Sequence, residues 1–165
     1  MTKAKTIDWM NLSASFAVIM GIVFLGLEIR QNTEMMRSQT RDSISEKQMM
    51  FSEWVATEIE LAETIAKVNR GEPLTAGESV QHAYFLAGVW REWENSYYQY
   101  ERGLFDAVEF EPRMNRWHDM LRVRSIREAW LATRMNYAPA FRQQVDTMVA
   151  SFSTDERASE AVPSF

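Results

Sequence analysis

The pattern of apolar and polar positions divides the chain into one uncharged stretch near the N-terminus and a longer region with helical periodicity. Residues 9–27, WMNLSASFAVIMGIVFLGL, are nineteen consecutive residues without a formal charge, and Glu28 and Arg30 follow them. At about 1.5 Å per residue, a helix of that length nearly crosses a hydrocarbon core of about 30 Å. The pattern predicts one transmembrane helix over residues 9–30, preceded by a short N-terminal tail over residues 1–8.

Two other kinds of segment carry a long apolar stretch near an N-terminus. A secretory signal peptide begins with basic residues, as Lys3 and Lys5 do here, but it ends at a cleavage site of small residues. The residues after Leu27, EIRQNTE, are polar and bulky instead. The other alternative is a buried core helix, and such helices rarely remain uncharged over this length. We therefore favour a helix that spans the membrane.

Three small residues of this predicted helix share one stripe. Ser13, Ala17 and Gly21 are spaced by four residues, which places them one above another on the helix surface. Such a stripe lets the backbone of a second helix approach closely. The alternative is that small residues are simply common in membrane helices. The stripe is our candidate interface with other membrane-protein subunits, or with a second copy of the chain in a homo-oligomer.

Basic residues that flank the predicted helix indicate its orientation. Lys3 and Lys5 precede it, and four basic residues follow within about twenty positions, namely Arg30, Arg37, Arg41 and Lys47. Because cytoplasmic flanks carry the excess of Lys and Arg, the C-terminal domain is predicted to lie in the cytoplasm. The expected location is a bacterial inner membrane that the chain crosses once.

The remaining sequence carries the start and stop signals of several helices. Four sites combine a capping residue with a Glu three positions later, namely Thr57 with Glu60, Thr75 with Glu78, Asp106 with Glu109, and Ser125 with Glu128. Gly71 and Gly103 follow short basic segments, as expected of the left-handed residue that ends a helix. Pro112 is expected to kink the helix opened at Asp106 or to delay its start to Glu111. We predict an all-α fold, with a helical bundle domain over residues 31–150 and a polar C-terminal tail over residues 151–165.

The most regular predicted helix runs from Thr75 to Arg102. Apolar and aromatic residues step along this region by three and four positions, namely Ala83, Leu86, Trp90, Trp93, Tyr97, Tyr100 and Leu104. This spacing gives a continuous apolar stripe that faces a core. Because long runs of β-branched residues are few, strands are not expected.

Two segments resemble signatures of a broad group of bacterial proteins that are anchored by one membrane helix. The first is FLGLEIRQNTEMMRSQT at residues 24–40, and the second is WENSYYQYERGLFD at residues 93–106. Residues 126–149 are similar to the closing segment of that group. The chain departs from the group at Glu28, where Gln is usual, and at Ala138, where Ser is usual before Pro139. The resemblance implies one anchor helix and a helical domain, and it implies no particular reaction.

Composition argues against several classes of function. The net charge of −5 disfavours a general nucleic-acid binder, because such a protein needs a basic face. The chain contains no Cys, so it has no disulfide and no Cys-ligated metal. Three carboxylates lie on the aromatic helix, but the two histidines, His82 and His118, do not complete the Glu-x-x-His pairs of a di-iron bundle. We expect no bound metal, no cofactor and no catalytic residue.

One polar cluster on the same helix is the remaining candidate site. Glu94 and Tyr98 are one turn apart, and so are Asn95 and Gln99, so these four residues share a face. One interpretation is a polar pocket for a small ligand. The other, which we prefer, is a hydrogen-bond network that fixes the register of the helices.

These features together lead to a functional expectation. We expect a membrane-anchored, non-catalytic accessory or scaffold subunit that contacts the lipid bilayer and other membrane-protein subunits. Large natural membrane assemblies are often respiratory or photosynthetic complexes, and we expect the partners to belong to one of these. The alternative is a membrane-tethered ligand-binding sensor or small enzyme that uses the face around Glu94 and Tyr98.

Overall fold

A computed structural model describes residues 2–160, without the side chains of residues 2–8, 10–11 and 153–160. Two predicted segments therefore lie partly outside the described residues, because Met1 belongs to the N-terminal tail and residues 161–165 belong to the polar C-terminal tail. Within the described range, α-helix accounts for 89% of the residues and no strand occurs. The predicted all-α fold is confirmed for this part of the chain.

Six α-helices follow one another along the described chain. They are α1 (Thr2–Thr57), α2 (Ile59–Arg70), α3 (Ala76–Glu101), α4 (Ala107–Leu121), α5 (Arg124–Thr133) and α6 (Pro139–Glu160), with a short 3-10 helix at Arg134–Asn136. The chain divides into two compact units, Met1–Gln39 and Thr40–Phe165. The first unit consists of α1 residues, and the second unit contains the remainder of α1 and the other five helices.

The first unit carries the apolar segment. Its most apolar 18-residue window has a mean hydropathy of 2.1, and none of that window is buried. The hydroxyl groups of Ser13 and Thr33 donate to the carbonyl oxygens of Trp9 and Ile29, at 2.8 and 2.9 Å, so the helix satisfies these polar groups itself. The structure thus has one described helix that is long and apolar enough to cross a membrane.

The second unit is a helical bundle with an aromatic core. Trp93 stacks on Trp117 with ring centroids 4.8 Å apart, and Trp90 contacts Trp130 edge to face at 5.4 Å. The second half of α1 adds Ile44, which is only 1% exposed. The predicted stripe of α3 accounts for much of this core, because Leu86, Trp90 and Trp93 are buried while Ala83 is exposed.

The four predicted helix starts have different outcomes. The start at Thr75 is confirmed, because its side chain accepts from the N–H of Glu78 and the Glu78 carboxylate accepts from the N–H of Thr75. Asp106 does precede α4, but its side chain makes no capping hydrogen bond. The start at Thr57 is wrong, because α1 continues to that residue and its hydroxyl donates to the carbonyl of Glu53 instead. The start at Ser125 is also wrong, because α5 begins at Arg124 after Val123.

The predicted helix ends at glycine are confirmed. Gly71 and Gly103 have φ values of 69° and 68°, which is the left-handed region that costs glycine little. Pro112 lies inside α4, so the predicted delay of that helix to Glu111 is wrong. The last helix, α6, continues to Glu160, into the segment predicted to be a polar tail.

Candidate functional site

The predicted helix-packing stripe lies on the exposed surface of the apolar segment. Ser13, Ala17 and Gly21 are all exposed, and a Cβ added at Gly21 would meet nothing within 4 Å. The hydroxyl of Ser13 donates a hydrogen bond to the carbonyl of Trp9, so its hydrogen already has an acceptor within the helix. The stripe is therefore open to a neighbouring helix or to lipid.

The predicted polar cluster on α3 contacts the connection before α6. Oε1 of Glu94 accepts from the backbone N–H of Ala138 at 2.7 Å, and Oε2 accepts from Arg91 at 2.7 Å. Arg91 also donates to the carbonyl of Asn136 at 3.1 Å, and its guanidinium lies 4.7 Å from the centre of the Tyr137 ring. These contacts favour the interpretation that Glu94 fixes the register of helices.

The other members of that cluster make fewer and longer contacts than Glu94 does. The amide of Gln99 reaches Asn95 at 3.5 Å, which is a long hydrogen bond. Tyr98 is 52% exposed, and the guanidinium of Arg102 lies 5.1 Å from the centre of its ring. The structure thus separates this face into Glu94, which binds the backbone before α6, and Asn95, Tyr98 and Gln99, whose described side-chain contacts lie within α3 or next to its end.

A buried ion pair that the sequence analysis missed crosses the core of the bundle. The Glu92 carboxylate on α3 accepts from the Arg113 guanidinium on α4, and the side chains are only 7% and 8% exposed. The same oxygen, Oε1, accepts from the hydroxyl of Ser96 at 2.8 Å. Arg113 Nε is a buried nitrogen without a hydrogen-bond partner in the described structure, while its guanidinium lies 5.7 Å from the centre of the Phe105 ring.

A cavity of about 600 Å³ opens beside this ion pair. It lies within the second unit, between α1, α2, α3 and α4, with Val123 and Ile126 at one edge. Most of its wall is apolar, and the main contributors are Phe51, Val55, Phe85, Leu86, Val89 and Trp93. The charged or titratable side chains that line it are His82, Glu92, Arg116 and Asp119.

These titratable groups differ in burial and charge. Burial lowers the pKa of His82 below its ordinary value of 6.5, so this side chain is neutral near pH 7. Arg116 and Asp119 are exposed, and Asp119 accepts from Arg122 at 3.2 Å. Glu92 alone combines burial with a position on the cavity wall. It is three positions after the apolar Val89 and adjacent to Trp93, and this place beside the core-facing stripe is the signal that could have identified it.

The carboxylates and histidines considered for a metal lie apart in the described structure. The ring of His118 stacks on Phe152 at 4.5 Å between ring centroids, whereas His82 lines the cavity. Among the described residues, no group of three or more His, Cys, Asp or Glu side chains is placed to hold a metal ion. Glu92 is engaged with Arg113, and Glu94 is engaged with Arg91 and Ala138.

Comparisons with known proteins add no relative to these observations. No protein-family model matches the chain, and neither the curated proteins nor the solved structures contain a match. The resemblance of residues 24–40 and 93–106 to the single-anchor bacterial group therefore stays a prediction.

Proposed function

We propose that the chain is a membrane-anchored, non-catalytic accessory or scaffold subunit of a larger membrane protein complex. The observation that carries this proposal is the complete exposure of the apolar window of α1, with its mean hydropathy of 2.1. Water disfavours a contiguous apolar surface of this size, so lipid or other membrane helices must cover it. α1 is then the element that brings the bundle to the membrane.

The stripe of Ser13, Ala17 and Gly21 supports contact with another helix in the bilayer. Association in lipid depends on close packing, because the bilayer covers apolar surface as well as a protein does. Small exposed side chains allow that close packing, and the internally bonded Ser13 hydroxyl does not oppose it. Most other described positions of the segment carry larger side chains, such as Phe16, Ile19 and Phe24, which suit contact with lipid.

Large apolar side chains on the bundle support a second contact, with protein outside the bilayer. Met49, Trp54 and Ile59 are 66%, 43% and 72% exposed, and they lie within eleven residues of one another around the junction of α1 and α2. Trp and Met are enriched in protein interfaces. The proposed location is a bacterial inner membrane with the bundle in the cytoplasm, and the proposed complex is of the respiratory or photosynthetic type.

A pair of glycine substitutions on α1 tests the proposed helix contact. Gly21 lies on the small-residue stripe, whereas Gly26 lies about 140° around the helix from it, and a Cβ at either position meets nothing within 4 Å in the chain itself. Each full-length variant would be expressed in native membranes, extracted in mild detergent and analysed for the proteins that remain bound. We expect Gly21→Ile to lose partner subunits and Gly26→Ile to retain them. Equal retention by both variants would reject the stripe as the interface.

The same preparation separates three other interpretations. Intact-mass measurement of the extracted protein should show that the apolar segment is retained, and its removal would identify a cleaved signal sequence instead. A particle that contains only copies of this chain would identify a homo-oligomer. A monomer would favour the ligand-binding alternative.

A further inference from the structure

The cavity of the bundle has the dimensions of a ligand site. Its volume of about 600 Å³ lies within the range of about 300–1,000 Å³ that is usual for small-molecule pockets. His82 and Glu92 both line it and are ten residues apart on α3, so it follows that helix for about 15 Å. The side chains between them, including Phe85, Leu86 and Val89, are apolar. The space therefore suits an elongated and mainly apolar molecule.

Glu92 offers one hydrogen-bond acceptor to that space. Its Oε1 atom accepts from both Arg113 and Ser96, whereas Oε2 accepts no hydrogen bond from any described residue. Among the described side chains, Arg113 Nε is the fully buried nitrogen or oxygen atom that has no hydrogen-bond partner. Oε2 of Glu92 also has no partner, so it is not fully buried and retains some accessible surface. Glu92 is 93% buried as a residue and lines the cavity, so the cavity is the space from which a ligand could reach this oxygen.

The charge around this acceptor selects the kind of donor. Arg113 already balances the charge of Glu92, so a cationic ligand is not needed at this end. His82 is neutral near pH 7, and the exposed Asp119 is paired with Arg122. Arg116 is the remaining charged group on the wall and is exposed to solvent. A neutral hydroxyl can donate to Oε2 without adding an unbalanced charge to a mainly apolar space.

The wall from α1 depends on a glycine of α3. A Cβ added at Gly88 would lie 3.2 and 3.3 Å from two ring atoms of Phe51, so Gly88 lets that ring approach α3 closely. Phe51 also contacts Phe85 edge to face at 5.9 Å between ring centroids. The two nearly perpendicular rings form an apolar corner of the cavity that would accept a ring or a hydrocarbon chain.

We propose that this cavity binds a neutral, mainly apolar alcohol or phenol, whose hydroxyl donates to Oε2 of Glu92 and whose hydrocarbon part lies between α1 and α3. Molecules of this class dissolve in the apolar part of a bilayer, which is where α1 would attach the protein. The binding site is separate from the helix contact at Gly21, and it would exist whether or not the chain has partner subunits.

Photolabelling of the full chain in phospholipid nanodiscs tests this site. The probe is a long-chain alcohol that carries a diazirine, and the labelled peptides are mapped by mass spectrometry. We expect label on cavity peptides that contain Phe51, Phe85 and Val89, in addition to lipid-phase labelling of the apolar part of α1. Unlabelled para-octylphenol should reduce the cavity label about tenfold more effectively than octylbenzene, because only the phenol donates to the carboxylate.

Two variants give the matched control. Val55→Trp fills the cavity from α1, whereas Ala132→Trp adds the same ring at an exposed position of α5 away from the cavity. After circular dichroism has confirmed folding, the first variant should lose cavity label and the second should keep it. Undiminished label in folded Val55→Trp, no cavity label in the wild type, or equal competition by the phenol and the hydrocarbon would each overturn the proposal. The wild-type competition decides the matter even if Val55→Trp does not fold.

Discussion

Glu94 on α3 accepts a hydrogen bond from the backbone N–H of Ala138, the residue immediately before α6, at 2.7 Å. A Ser at position 138 would cap α6 with its own side chain, but Ala cannot. Glu94, 44 positions earlier in the sequence, accepts instead from the N–H of Ala138 itself, the donor that a Glu at the third helix position satisfies in a capping box. The same carboxylate is held by Arg91, which also donates to the carbonyl of Asn136, so these two side chains join α3, the 3-10 segment and the start of α6.

This geometry predicts a structural role for Glu94. Glu94→Ala should lower the free energy of unfolding by about 1.5–3 kcal/mol, because it removes a charge-assisted acceptor that is largely shielded from solvent. The control is Glu128→Ala, which removes an exposed partner of Arg124 and should cost at most about 1 kcal/mol. Denaturant unfolding of the full chain measures both. If Glu94→Ala leaves stability unchanged but abolishes binding of a ligand, the pocket interpretation of this face is correct.

The buried pair of Glu92 and Arg113 predicts strong coupling between two helices. Arg113→Met should cost about 3–5 kcal/mol, because it leaves the Glu92 carboxylate buried without its cation. The double variant Glu92→Met with Arg113→Met should recover most of that loss. Arg122→Met, which breaks an exposed pair with Asp119, serves as the control and should change little. Additive losses in the double variant would show that the two side chains are not energetically coupled.

The burial of His82 predicts that stability depends on pH above the pH range in which carboxylates titrate. Its pKa is lowered by burial, so the unfolded chain takes up a proton more readily than the folded chain as the pH falls below 6.5. Stability should therefore decrease from pH 7.5 to pH 5.5, and His82→Gln should remove that part of the decrease. Thermal unfolding of the two proteins across this interval measures the effect. If the unfolding temperatures of the wild type and of His82→Gln decrease equally with falling pH, His82 is not the group responsible.

The absence of cysteine makes the proposed orientation directly measurable. A single Cys introduced at Ala132, an exposed residue of α5, should react with a membrane-impermeant maleimide only after spheroplasts are opened. The matched variant Thr2→Cys should react in intact spheroplasts, because the N-terminus would lie on the other side of the membrane. The opposite labelling pattern would place the bundle outside the cytoplasm.

The helices were predictable where local signals and tertiary packing agree. Thr75 and Gly71 determine a helix start and a helix end through their own backbone and side-chain preferences, and both predictions are confirmed. At Thr57 the same local signal failed, since α1 continues past Phe51 and Val55, which face the bundle, and the Thr57 hydroxyl bonds within the helix instead. Packing of the preceding turns therefore overrode the cap.

The site was less predictable, because its parts are distant in sequence. Glu92 is 21 positions from Arg113, and the cavity wall combines residues of five helices, so the spacing within one helix could not show them together. The spacing of polar residues on α3 pointed instead to Glu94, whose carboxylate contacts the start of α6. Glu92 lies between the apolar positions Val89 and Trp93, and a charged group buried beside them needs a partner.

The most direct test of the proposed function is the size and composition of the wild-type protein extracted from its own membranes in mild detergent. Native electrophoresis followed by mass spectrometry should place the chain in a particle that contains other membrane-protein subunits. A particle of the mass of one chain would contradict the account of an accessory subunit.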